Sequence, residues 1–129
     1  METELFTFIA KLNRDLYIYY KDLEVTNSSF NTRSQGDIIK YPTAPIVFCW
    51  YYKWEEPKIN HEITFEIWKD KNWRLRSEHN TDESYYDLEN PLKGEFLFDY
   101  SFDTLTEMIE NSEKIKQEFL SNIENILHL

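Results

Sequence analysis

The chain has 129 residues, 41% of them apolar, with only two Gly and four Pro, which excludes a disordered or low-complexity polymer and suits one ordinary domain with a real core. The net charge of −10 is unevenly placed: residues 1–77 balance eleven acids with eleven bases, whereas residues 78–129 set thirteen acids against Lys93, Lys114 and Lys116. A field of that sign repels phosphate backbones and anionic membrane surfaces and attracts basic partners, so direct nucleic-acid and membrane binding are not expected.

Taken in chain order, Leu5, Phe8, Ile9 and Leu12 fall at helical spacing and predict a short helix over about residues 3–13, with Glu2 and Glu4 near its positive end. Residues 16–25 read as a strand, because Tyr17, Tyr19 and Tyr20 favour a pleated surface. Residues 26–37 are small and polar and read as a loop, with a short strand expected at 38–41 before Pro42 and Pro45.

Residues 46–54 are almost wholly apolar or aromatic and predict a central strand covered on both faces. Residues 61–69 alternate, with Ile63, Phe65 and Ile67 on one face and Glu62, Thr64, Glu66 and Trp68 on the other. Residues 73–77 alternate as well, and Asp70-Lys71-Asn72 joins the two as a hairpin turn. That pairing sets Glu62 and Glu66 beside Arg74 and Arg76, where cross-strand ion pairs are expected. Residues 78–93 read as an acidic loop, and 95–100 as a last strand with Phe96, Phe98 and Tyr100 on one face.

The final element is a long amphipathic helix of about 23 residues, roughly 35 Å at the usual rise. Its apolar row contains Leu105, Met108, Ile109, Ile115, Phe119, Leu120, Ile123, Ile126 and Leu127, and Thr104 with Glu107 makes a capping box at its start. Glu107, Glu110, Glu113, Glu118 and Glu124 occupy the opposite face, while Ser112 and Lys116 fall inside the apolar arc. The ordinary outcome for such a lysine is to snorkel outward or to pair with a sheet carboxylate; the functional alternative is an anion held in a pocket. The whole predicts an α+β fold: a single twisted antiparallel sheet of five or six strands, a short N-terminal helix and a long C-terminal helix packed on the sheet, forming one domain over 1–129.

No pattern of residues announces a chemistry. His61-Glu62 opens like a zinc-protease helix, but Phe65 stands where the second His belongs, and no Cys pair or close His pair offers a metal site. Gly36 and Gly94 are too far apart for a phosphate-binding loop. Glu66, Lys69 and Asp70 resemble a nuclease set only in composition, since Glu66 and Lys69 would point to opposite faces of a strand. Cys49 lies mid-strand in an apolar run and reads as a core thiol rather than as the nucleophile of a dyad with His61 or His79. The single cysteine and the absence of an apolar leader or span point to a cytoplasmic setting.

No enzyme and no cofactor are therefore expected. In size and acidity the chain is similar to bacterial immunity proteins and acidic secretion chaperones, a resemblance carried by composition and by no motif. The expected function is a binding protein, a monomer or homodimer, that neutralises or escorts a basic protein. Its contacts would be Asp82, Glu83, Tyr85, Tyr86, Asp87 and Glu89 on the acidic loop and Glu107, Glu110 and Glu113 on the last helix. The alternative is a small apolar ligand held between sheet and helix, with Trp50, Tyr52 and Lys116 facing the pocket.

Overall fold

The computed structural model describes residues 2–34, 45–55, 60–82 and 93–128. Two helices and five strands follow in the order α1 (Glu2–Leu23), β1 (Ser28–Ser34), β2 (Ile46–Glu55), β3 (Asn60–Lys69), β4 (Trp73–Asp82), β5 (Lys93–Phe102) and α2 (Leu105–Leu127). The strands pair antiparallel in chain order, a meander that needs only short connections between neighbours. The α+β class, the antiparallel sheet and the long C-terminal helix are as expected from the residue pattern.

The first correction lies in α1, which continues to Leu23 where a strand was expected at 16–25. Its apolar row runs on without a break through Leu12, Leu16, Tyr19, Tyr20 and Leu23. Tyr17 and Ile18, which a strand would have placed on opposite faces, are both exposed. Burial of a helical stripe thus outweighs the strand preference of the tyrosines, which is a matter of surroundings more than of backbone. The helix gives way to Glu24 at φ 50°, in the left-handed region, and Asn27 at φ 55° turns the chain into β1.

The second correction is β1, in a stretch read as loop. Its alternation is held by one aromatic: Phe30 packs 5.0 Å from Tyr52 and 5.7 Å from Tyr20, centroid to centroid. Ser29, Asn31 and Arg33 point away from the helices, so this edge strand is polar on its open side. The strand expected at 38–41 lies outside the described residues.

The third correction is that β4 extends to Asp82, so Glu78 to Asp82 belong to the sheet rather than to the acidic loop. The last concerns β5. Ser77 pairs with Phe98 but Glu78 pairs with Phe96, which leaves Leu97 as the extra residue of a β-bulge. Past a bulge the side-chain alternation reverses. Phe98 and Phe102 are buried under the helices, while Phe96 turns to the other face and is 58% exposed.

Both helices cover the same face of the sheet. Trp50, Phe65, Phe119, Leu16, Ile63, Ile67, Leu75, Met108 and Ile123 are fully buried there. Phe119 of α2 packs 5.0 Å from Phe65 and 5.8 Å from Tyr52, an aromatic centre of the kind that dominates core energetics. α1 is pinned by hydrogen bonds from Trp50 Nε1 to Asn13 Oδ1 (3.0 Å) and from the Tyr52 hydroxyl to the Leu16 carbonyl (2.7 Å). Asp15 meets Lys116, and Tyr19 meets Leu120 and Glu124, so contacts advance in the same order along both helices and the two run side by side and parallel.

Candidate functional site

α2 begins where Thr104, in extended backbone, accepts a 3.1 Å hydrogen bond from the Glu107 amide. The apolar row, Leu105, Met108, Ile115, Phe119 and Ile123, then faces the sheet and fixes which residues face outward. Glu107, Glu110 and Glu113 are exposed on successive turns, about 9 Å from first to last along the axis. Glu118 accepts from the Tyr100 hydroxyl at 2.8 Å and Glu124 from the Tyr19 hydroxyl at 3.1 Å. Of the two lysines on α2, Lys114 is exposed and Lys116 is buried.

Lys116 Nζ lies 3.1 Å from Asp15 Oδ2 on α1 and 2.9 Å from Glu113 Oε2 on its own helix. Its partners are therefore helix carboxylates, and the expected sheet carboxylate takes no part. Burial pulls the ammonium down, and the bonds to Glu113 and Asp15 more than offset it, so its pKa stands above the ordinary lysine value. The same lysine, helped by an amide hydrogen bond from Gln117, holds the Glu113 carboxyl below the ordinary carboxylate range.

On the N-terminal side of this ion pair a cleft of about 590 Å³ opens between the helices. Phe8 and Leu12 of α1 and Ile109 of α2 give it apolar walls. Glu4, Asp15, Glu110 and Glu113 line it with carboxylates, against the two ammonium groups of Lys11 and Lys116.

Glu110 and Glu113 of the expected contact set thus line this cleft, with Glu107 on the same helix. Asp82 ends β4 opposite Asn60 in register. Glu83, Tyr85, Tyr86, Asp87 and Glu89 lie outside the described residues. The three residues of the alternative pocket are not gathered in one cavity: Trp50 and Tyr52 are core residues beneath the helices, and Lys116 lines the cleft between them.

The sheet face turned away from the helices carries its own ordered polar groups. The expected ion pairs of Glu62 and Glu66 with Arg74 and Arg76 give way to other partners. Glu66 faces Arg76 in register but accepts hydrogen bonds of 2.6 Å from Thr64 Oγ1 and from Trp68 Nε1. Glu62 pairs with Lys53 at 3.5 Å. Asp99 of β5 sits between Arg74 (3.4 Å) and Arg76 (3.5 Å), and the Arg76 guanidinium lies between the rings of Trp68 (4.1 Å) and Phe96 (4.5 Å). The bulge in β5 delivers Phe96 to that position, which simple alternation could not foresee.

Cys49 is buried on this face, paired in register with Glu66. Burial, then the Glu66 and Glu62 carboxylates, push its thiol above the ordinary range. His61, in register with buried Trp54, belongs to the helix-covered side, so Cys49 and His61 are separated by the sheet. The histidines find each other instead: His61 Nδ1 and His79 Nε2 are 3.0 Å apart, with nearly coplanar rings. The hairpin register makes them diagonal neighbours, a pairing available from the sequence once β4 is given its full length. Among the described residues no group of three or more His, Cys, Asp or Glu could hold a metal ion. No described helix is long and apolar enough to cross a membrane.

Comparison with known proteins returns no matching family model, no matching characterised protein and no matching solved structure.

Proposed function

We propose that this chain is a non-enzymatic binding protein that captures a basic protein, as an inhibitor or escort, through the outward face of α2 and the acidic segment that precedes β5. The observation that carries this reading is the fate of the two α2 lysines. An ordinary solvated helix interleaves Lys with Glu for mutual stabilisation. Here one of the two lysines is drawn inside by Asp15 and Glu113, and five glutamates share the helix with a single exposed cation. Carboxylates in such a row steer a cationic partner and suppress acidic ones. The balanced charge of residues 1–77 gives the field a direction, so encounter should favour the α2 side.

The test uses affinity capture from extract of the source cells on the intact protein and on the variant Glu107→Gln/Glu110→Gln/Glu113→Gln, followed by binding of the purified captured protein. The expected result is a basic protein retained by the parent and bound about tenfold or more weakly by the variant. A partner of neutral or acidic charge, or equal binding by both proteins, contradicts the proposal.

A further inference from the structure

The parallel helices are tied together at Asp15–Lys116 and Tyr19–Leu120, and N-terminal to these contacts the cleft lies between Phe8 and Leu12 on one side and Ile109 on the other. From Thr3 to Asp15 the α1 wall is about 18 Å long at the helical rise. A trough between two helices is the natural seat of a third, whose side-chain ridge enters the groove. We infer that the cleft is the docking groove for an amphipathic α-helix of the partner, with an apolar ridge and basic flanks. This rests on the protein-binding role proposed above and specifies the structure that the partner presents.

Three observations select that occupant. The cleft has an apolar floor for a ridge of aliphatic side chains, made by the outer edges of the core residues Phe8 and Leu12 and by half-buried Ile109. The four carboxylates that line the cleft outnumber its two cations, and Lys116 is already held by Asp15 and Glu113, which leaves Glu4 and Glu110 facing Lys11. Lysine or arginine on the flanks of an incoming helix would meet those acids while their aliphatic stems cover the walls. Both resident helices also present their N-termini at the same end of the cleft. The dipole interaction therefore favours an occupant running antiparallel to them, its C-terminus toward those N-termini.

The probe is a synthetic peptide of about 14 residues, roughly 21 Å as a helix, with leucine at helical spacing and lysine elsewhere. A scrambled peptide of the same composition is its control. Binding of each to the full chain is read by fluorescence anisotropy at several salt concentrations. Thr7→Trp and Thr106→Trp, which fill the cleft without changing charge, are checked for folding by circular dichroism.

The helical peptide is expected to bind the parent at least about tenfold more tightly than the scrambled one. Either filling substitution should abolish that advantage and leave the weak, salt-sensitive binding of the scrambled peptide intact. Equal binding of the two peptides to the parent overturns the inference, as does an advantage that survives in both filled variants. A dimer that Thr7→Trp dissociates, with no peptide bound, assigns the groove to a second copy of this chain and likewise overturns it. The wider role fails separately, when Glu107→Gln/Glu110→Gln/Glu113→Gln leaves capture of the basic protein unchanged.

Discussion

Lys116 is the residue on which the two helices agree about their spacing. Its ammonium is buried between Asp15 and Glu113, but the two carboxylates keep part of their surface in water, 24% and 62% of each side chain. That asymmetry predicts unequal costs. Lys116→Met leaves two carboxylates that water can solvate and should cost less than about 1 kcal/mol. Asp15→Ala leaves the buried ammonium with one partner and should cost about 1–2 kcal/mol. Denaturant unfolding of both variants reads the difference, and the reverse order would mean that Lys116 is solvated. The sequence marked Lys116 as out of place on an apolar row. It could not reveal the partner, because Asp15 lies in a stretch that extends as helix only once the whole of α1 is recognised.

Glu78 gives a second residue-scale expectation, with the opposite sign from Glu113. Burial, then the Glu66 carboxylate, raise the Glu78 carboxyl above its ordinary value, against the pull of Arg76. A carboxyl whose native pKa is raised binds its proton more readily folded than unfolded, so its contribution to stability declines as pH rises through the carboxylate range. Glu78→Gln should therefore be more stable than the parent at neutral pH, and the gap should close as the pH falls through that range. Thermal melts of both proteins across pH read this; a neutral-pH variant that is less stable would contradict it.

At the scale of elements, what the residue pattern displayed was local order and what it concealed was context. α2 was legible from its apolar period and its Thr104 cap, β3 from its alternation, and the Asp70-Lys71-Asn72 turn from its polar turn residues. α1 beyond residue 13 was concealed by tyrosines, and β1 by serines and asparagine, whose strand geometry comes from pairing with β2 and from Phe30 packing on Tyr52. The bulge at Leu97 was not legible at all, since one inserted residue leaves no mark on composition. The junction of α1 and β1 carries a testable strain: Glu24 is exposed and adopts the left-handed region without the freedom of glycine. Glu24→Gly should stabilise the protein by about 0.5–1 kcal/mol, the relief of the left-handed strain exceeding the entropy that glycine adds to the unfolded chain. A loss of stability in equilibrium unfolding would show that the side chain, rather than the backbone, matters there.

At the scale of the molecule, the charge of residues 78–129 resolves into parts with different positions. Asp99 is built into the sheet between Arg74 and Arg76 and is answered locally, whereas Glu78 is partly buried near Glu66 and only partly offset by Arg76. Glu107, Glu110 and Glu113 are exposed, with Glu113 bonded to Lys116, and Glu110 and Glu113 line a cleft that no sequence motif announced, because it arises from two helices far apart in the chain meeting side by side. The acidic face was legible from helical spacing; the groove beside it required the tertiary arrangement. The central claim is that this face meets a basic partner through its field. The measurement that reaches it most directly is the association rate constant of the chain with its captured partner as ionic strength is raised, for the parent and for Glu107→Gln/Glu110→Gln/Glu113→Gln. The account predicts a parent rate that falls by about tenfold or more from low to high salt and a variant that starts slower with a shallower slope. A rate indifferent to salt, and equal in the two proteins, would contradict it.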